Sequence, residues 1–176
     1  MGVKSGAEEL WREIQQKMNE APLKTSERLK IPLQEMPLLD PVKRGQCQEE
    51  VAIGYSEAQA RIEAERCLHC KNEPCVQGCP VAVPIPRFIK EISRGNYKHA
   101  IDAIKETNLL PAVCGRVCPQ EKQCQVACTV GKSLKDVNKA VAIGRLERWV
   151  ADWERENSHI QTTRVKPPTG KRVAVV

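Results

Sequence analysis

The apolar residues near the start of the chain follow a helical repeat. Leu10, Ile14 and Met18 lie four positions apart, which predicts a helix over residues 7–19. A proline-spaced arm follows and completes the segment 1–40. Because the apolar stripe of a helix has to be covered, we expect this segment to pack on its own domain or on a neighbouring subunit.

Helical spacing and helix-end signals recur further along the chain. Ser56 and Gln59 match a capping box, which predicts a helix that leads to Cys67. Three more helices are predicted over residues 84–94, 97–108 and 136–153, the first of them closed by Gly95. No alternating strand pattern occurs before residue 170. The sequence therefore predicts an all-α domain over residues 41–156.

The end of the chain departs from the helical pattern. Residues 157–170 are mostly polar and contain a Pro-Pro-Thr-Gly turn, which predicts a linker. Residues 171–176 read Lys-Arg-Val-Ala-Val-Val, a run typical of a buried parallel strand. A single such strand has no partner, so we expect it to open a nucleotide-binding domain of a longer chain. The alternative is a terminal strand that swaps with, or covers, the helical domain.

Composition and charge narrow the classes of function. The 176 residues include three Trp, two Tyr and one Phe but nine Cys, so the core must rely on aliphatic side chains and on metal ligation. The net charge of +6 is dispersed and aromatic residues for base stacking are scarce, so we expect no nucleic-acid partner. We find neither a signal-peptide pattern nor an apolar run of about 18 residues, and we expect a cytoplasmic protein that does not enter the membrane. Thiols stay reduced in the cytoplasm, and the odd number of cysteines also argues against a disulfide framework.

Eight cysteines form two runs. The first run is Cys67-x2-Cys70-x4-Cys75-x3-Cys79-Pro80, and the second is Cys114-x3-Cys118-x5-Cys124-x3-Cys128. Thiolate sulfur suits zinc, Cu(I) and iron–sulfur clusters. In the bacterial ferredoxin run C-x2-C-x2-C-x3-C-P, the last cysteine ligates the other cluster, and the first run here has the same Cys79-Pro80 ending. The spacing therefore predicts two clusters, of the [4Fe–4S] type, with Cys79 serving a different cluster from the three cysteines before it.

Zinc is the main alternative to iron and sulfide. Structural zinc sites with four cysteines use two C-x2-C pairs, and only Cys67 and Cys70 have that spacing. A zinc-stabilised domain that binds a partner and has no redox role is therefore the second class of function. His69 lies between two candidate ligands, and we interpret it as pointing outward or donating to a cluster sulfur. Cys47 stands alone and is interpreted as an ordinary thiol.

Four motifs carry a resemblance to a known family. They are Arg66-Cys67-Leu68-x-Cys70, Pro74-Cys75-x-x-Gly78-Cys79-Pro80, Leu110-Pro111-Ala112-Val113-Cys114-Gly115-Arg116-Val117-Cys118-Pro119 and Ile143-Gly144-Arg145-Leu146-Glu147-Arg148. These residues resemble the N-terminal domain of the small (beta) chain of NADPH-dependent glutamate synthase. The same module occurs in dihydropyrimidine dehydrogenase and in the large subunit of the electron-bifurcating NADH-dependent ferredoxin:NADP oxidoreductase. The resemblance covers about residues 40–155 and implies an α-helical ferredoxin module with two [4Fe–4S] clusters.

The resemblance also implies which residues hold each cluster. The implied ligands are Cys67, Cys70, Cys75 and Cys128 for the first cluster, and Cys79, Cys118, Cys124 and Glu147 for the second. Cys114 becomes a spare thiol beside the second cluster. Without the resemblance, Glu147 would be interpreted as a solvated helix residue.

The function implied by the resemblance is electron transfer. This segment carries no flavin or nicotinamide site of its own, and residues 170–176 look like the entry into an FAD-binding domain. In the intact chain NADPH would reduce FAD, and the clusters would pass electrons to a partner. That partner would be the glutamate synthase large (alpha) subunit or another flavin or iron–sulfur subunit. The bifurcating oxidoreductase is the alternative within this class.

Overall fold

The chain folds into two longer helices, near its start and its end, and a series of shorter helices between them. The structure, a computed structural model, describes residues 2–157 together with residues 167, 170–172 and 174. The helices are α1 (Gly2–Glu20), α2 (Thr25–Arg28), α3 (Pro41–Arg44), α4 (Glu57–Glu65), α5 (Pro74–Gln77), α6 (Ile85–Arg94), α7 (Tyr97–Lys105), α8 (Pro111–Val117), α9 (Cys124–Ala127), α10 (Thr129–Ser133) and α11 (Ile143–Glu156), with 3₁₀ turns at Gln120–Lys122 and Val137–Lys139.

The described part of the chain contains no β-strand, and its one isolated antiparallel bridge pairs Leu38 with Ala52. The all-α prediction is therefore confirmed. None of the helices in this part is long and apolar enough to cross a membrane. The predicted linker over 157–170 and the predicted strand over 171–176 fall largely outside the described residues and stay predictions, as do the domain boundaries.

Local signals fix the ends of two helices as predicted. The Ser56 hydroxyl accepts a hydrogen bond from the Gln59 N–H at 3.2 Å, and the Gln59 side chain accepts one from the Ser56 N–H at 3.0 Å. This reciprocal pair satisfies two backbone donors at the start of α4. At the end of α6, Gly95 takes the left-handed conformation with φ of 81°, where a residue with a side chain would be strained.

The last helix begins later than predicted. The periodicity predicts a start near residue 136, but α11 begins at Ile143. The reason is that the backbone before it is already hydrogen-bonded elsewhere. The Ala142 N–H donates to the Glu63 carboxylate, and the Lys139 and Ala140 carbonyls accept from Arg66. These bonds come from residues distant in the sequence, so the local pattern does not reveal them.

The apolar core lies between α4, α6, α7 and α11. Its least exposed members include Ala60, Phe88, Ile89, Ile92, Ala100, Ile101, Ile104, Leu146 and Val150. A second cluster joins α1 to α4, where Trp11 and Ile14 pack with Ile62. The apolar stripe of α1 is therefore covered by the same chain.

A buried ion pair ties together segments that also pack against the apolar core. Glu63 and Arg66, on and just after α4, have side chains only 0% and 2% exposed, and Arg66 Nη1 donates to Glu63 Oε1. The second carboxylate oxygen of Glu63 accepts from the Gln34 N–H at 2.9 Å, and Arg66 Nε donates to the Ile31 carbonyl at 3.2 Å. Together with the bonds to residues 139–142, the pair ties the N-terminal arm and the start of α11 to α4.

We expect Glu63→Gln to lower the free energy of unfolding by about 3–5 kcal/mol, because it leaves the Arg66 guanidinium buried without its counter-charge. Both carboxylate oxygens accept backbone N–H groups, so the amide nitrogen of glutamine would also face a donor. Urea unfolding of variants with matched metal content measures the change. The control is Glu106→Gln in the exposed pair with Arg87, which should leave the midpoint unchanged. Equal midpoints for the two variants would contradict the role of the buried pair.

Candidate metal centre

Four cysteine thiols from both runs line one cavity. Cys67 and Cys70 lie in the loop after α4, Cys75 lies in α5, and Cys128 lies between α9 and α10. The space between them free of protein atoms is about 290 Å³, open solvent included. The Cys70 thiol donates to the Thr129 hydroxyl at 3.1 Å, which ties the first run to the residue after Cys128. The structure therefore brings together the four residues predicted for the first cluster.

A second cavity collects the remaining predicted ligands. Cys79, Cys118, Cys124 and Glu147 line it, with about 540 Å³ free of protein atoms, open solvent included. Cys114 and Asn108 line the same cavity. Each cavity therefore combines cysteines of both runs. Cys128 of the second run lines the first cavity, and Cys79 of the first run lines the second cavity.

Two glycines allow the helices to approach closely enough to form these cavities. A Cβ atom on Gly78 would lie 2.8 Å from the Gln123 carbonyl oxygen, so α5 and α9 can meet only because residue 78 has no side chain. Between α8 and α11, a Cβ on Gly115 would lie 2.6 Å from the Arg148 backbone nitrogen. Such distances are impossible for real side chains. Gly78 therefore brings Cys79 to the second run, and Gly115 brings α8 to the helix that carries Glu147.

Burial keeps four of these thiols protonated in the metal-free protein. Desolvation, with smaller contributions from neighbouring cysteines, raises the pKa of Cys67 and Cys75 to about 12. In the second cavity desolvation raises the pKa of Cys124 to about 12 and that of Cys118 to about 11. Thiolates in these cavities need positive charge beside them, which iron supplies, and ligation therefore releases protons. The donor set, seven buried or half-buried thiols and one carboxyl group, fits iron–sulfur clusters.

Glu147 is buried on α11 and faces the second cavity. The residue is 8% exposed, and Oε1 accepts a hydrogen bond from Asn108 Nδ2 at 2.7 Å. Desolvation raises its pKa to about 7, against the lowering effect of the Asn108 hydrogen bond. The interpretation from the residues alone, a solvated helix position, is wrong. The sequence gives no direct signal for Asn108, which only lies between a helix end and the Leu-Leu-Pro at the start of α8.

The other residues singled out from the sequence lie away from the thiols or beside them. The His69 side chain lines a separate cavity with Trp11 and Lys90, and its Nδ1 atom is buried without a hydrogen-bond partner among the described residues. Cys47 is exposed. Within the described part of the chain, no three His, Cys, Asp or Glu side chains are placed to hold a single metal ion.

An all-α domain with two cavities lined by cysteines is the arrangement of a helical iron–sulfur protein. Residues 44–159 match the family described as dihydropyrimidine dehydrogenase domain II, 4Fe–4S cluster. The chain belongs to this family of iron–sulfur domains, and the predicted resemblance is confirmed.

Several curated proteins are similar to the chain over the same region. The glutamate synthase [NADPH] small chain of Escherichia coli K12 is 38% identical over 133 residues, which is 72% of this chain and 26% of that protein. The NAD-dependent dihydropyrimidine dehydrogenase subunit PreT of the same strain is 42% identical over 108 residues, 61% of this chain and 25% of that protein. The putative oxidoreductase AegA, also of that strain, is 36% identical over 135 residues and is covered to 19% of its length. The chain thus spans about a quarter or less of these relatives.

Gly115→Ala should destabilise the protein by about 1–3 kcal/mol, because the added methyl group overlaps the backbone of α11 at Arg148. It should also reduce metal retention in the second cavity more than in the first, since α8 and α11 both border the second. Thermal unfolding and iron content measure the two effects. Gly6→Ala is the matched control, because a Cβ there meets nothing within 4 Å. A Gly115 variant as stable and as iron-rich as the control would contradict the close-packing interpretation.

Proposed function

We propose that residues 41–156 form an electron-transfer domain that holds two [4Fe–4S] clusters. The observation that carries this proposal is the sorting of the donors into two cavities, each lined by four of the residues that the resemblance implies. The family match supports the cluster type. A single cluster would leave one set of buried thiols without a function.

The proposed ligands of the first cluster are Cys67, Cys70, Cys75 and Cys128, and those of the second are Cys79, Cys118, Cys124 and Glu147. The cavity linings support both sets. Cys114 lines the second cavity but is left out of its ligand set, as the resemblance implies, and its thiol donates to Asn108 Oδ1.

The two cavities differ in ways that set different reduction potentials. When bound, the clusters supply one-electron carriage. Apolar side chains line both cavities, with Leu68, Val130 and Val141 in the first and Val83, Ile85 and Ile143 in the second. In the second cavity a carboxyl group with an amide donor replaces one thiol. Ligand type, hydrogen bonding and burial control cluster potentials, so the protein keeps the two centres distinct.

In the intact protein we propose that the domain relays electrons from FAD, reduced by NADPH, to a partner subunit of the glutamate synthase type. The support is the name of the relative with 38% identity, a glutamate synthase [NADPH] small chain. A second candidate is an NAD-dependent dihydropyrimidine dehydrogenase subunit, favoured by the 42% identity to PreT. The choice between NADPH and NADH as the reductant of the full-length chain separates the two.

Anaerobically purified protein should contain about eight iron and eight acid-labile sulfide per chain, as two [4Fe–4S] clusters require. It should be brown, and a reductive titration followed by electron paramagnetic resonance should show two centres with separate midpoints. A colourless protein with stoichiometric zinc and no sulfide would overturn the proposal in favour of a structural zinc domain.

Single cysteine variants test how the runs share the clusters. Cys128→Ala should remove the resonance of the first centre and leave the second, although Cys128 belongs to the second run. Cys79→Ala should do the reverse. Each variant should retain about half of the iron, and Cys47→Ala, at an exposed position, should retain all of it. Loss of the same centre in Cys79→Ala as in Cys67→Ala would show that each run holds its own cluster.

A further inference from the structure

Asn108 touches both side chains that could complete the second ligand set. It is buried, 6% exposed, in the loop between α7 and α8. Its Nδ2 donates to Glu147 Oε1 at 2.7 Å, and its Oδ1 accepts from the Cys114 thiol at a sulfur–oxygen distance of 3.6 Å. One amide group therefore lies between a carboxyl group and a thiol that line the same cavity.

The second cavity offers more donors than a cluster needs. Cys79, Cys118 and Cys124 supply three sulfur ligands, and both Glu147 and Cys114 lie within the cavity for the fourth position. Thiolate is the softer ligand and the better match to iron in a cluster. On ligand chemistry alone Cys114 would bind, so a further interaction has to favour the carboxylate.

The orientation of the Asn108 amide is set independently of both candidates. The Leu110 N–H donates to Oδ1 at 2.9 Å, which assigns the oxygen to that side of the group. Leu110 directly precedes Pro111, the first residue of α8, so this bond also fixes where α8 begins. The Nδ2 donor must then face Glu147 and the oxygen must face Cys114.

We propose that Asn108 is a positioning residue that selects Glu147 over Cys114 as the fourth ligand of the second cluster; this rests on the proposed function. The Nδ2–H donor holds the carboxylate in the cavity, because a charge-assisted hydrogen bond orients its acceptor strongly. The Oδ1 acceptor draws the Cys114 thiol toward the amide, at a sulfur–oxygen distance of 3.6 Å. The same amide thus holds the carboxylate in the cavity and turns the Cys114 thiol toward itself.

Asn108→Asp is the sharpest test, because it replaces Nδ2 by oxygen and keeps the size of the side chain and the acceptor for Leu110. The new oxygen repels the Glu147 carboxylate. Cys114 should then release its proton to solvent and bind iron as the Glu147 oxygen leaves. Iron should stay at about eight per chain, while the resonance and midpoint potential of the second centre shift and those of the first do not.

The double variant Asn108→Asp/Cys114→Ala removes the replacement ligand and should lose the second centre, leaving about four iron per chain. Glu147→Ala removes the carboxylate ligand directly. It should shift the resonance and midpoint potential of the second centre in the same way, again only while Cys114 is present. Asn138→Asp makes the same chemical change at an exposed residue and should match the wild type. Circular dichroism and the resonance of the first centre report folding in every variant.

The outcomes separate this inference from the proposed function. A wild-type protein without two cluster resonances overturns the proposed function itself. Two other outcomes, with two normal centres in the wild type, would overturn only the role of Asn108. In the first, the second centre of Asn108→Asp is unchanged. In the second, it changes in the same way with and without Cys114.

Discussion

The buried ion pair between Glu63 and Arg66 is the constraint on which the placement of both cavities depends. A buried pair is tolerated only when its remaining donors and acceptors are satisfied, and here backbone groups from the N-terminal arm and from residues 139–142 satisfy them. Cys67 follows Arg66 directly, and α11 follows Ala142. The pair therefore fixes the position of the end of α4 relative to α11. The end of α4 leads into the first cavity, and α11 carries Glu147 of the second cavity.

The two cavities are consequently parts of one structure. The short helices α5 and α9 meet at Gly78, and each contributes to both cavities, either through its own cysteines or through those that flank it. Because these helices have only four residues each, their own hydrogen bonds cannot hold them in place. Their position depends on packing and, in the proposed function, on the clusters. This explains how six aromatic rings suffice for a domain of this size.

Sequence reasoning succeeds where the determinant is local. The capping box at Ser56 and the glycine at position 95 lie within the helices that they delimit, so α4 and α6 could be predicted. The start of α11 could not, since it depends on hydrogen bonds from Glu63 and Arg66. Spacing and the Cys79-Pro80 ending indicated that Cys79 serves the other cluster. Only the resemblance indicated that Cys128 belongs with the first run and that Glu147 takes the place of Cys114. Asn108 has no local signature, because its bond to Glu147 spans 39 positions.

The interleaved order of the donors has a topological consequence. The first set spans residues 67–128 and the second spans residues 79–147, so the two ranges overlap. Each occupied cavity would act as a covalent cross-link whose loop includes part of the other loop. Cross-links that close long loops restrict the unfolded chain. Overlapping loops also mean that no cut between residues 67 and 147 yields two fragments with one complete donor set each. A chain break anywhere between residues 79 and 128 would therefore separate members of both donor sets at once.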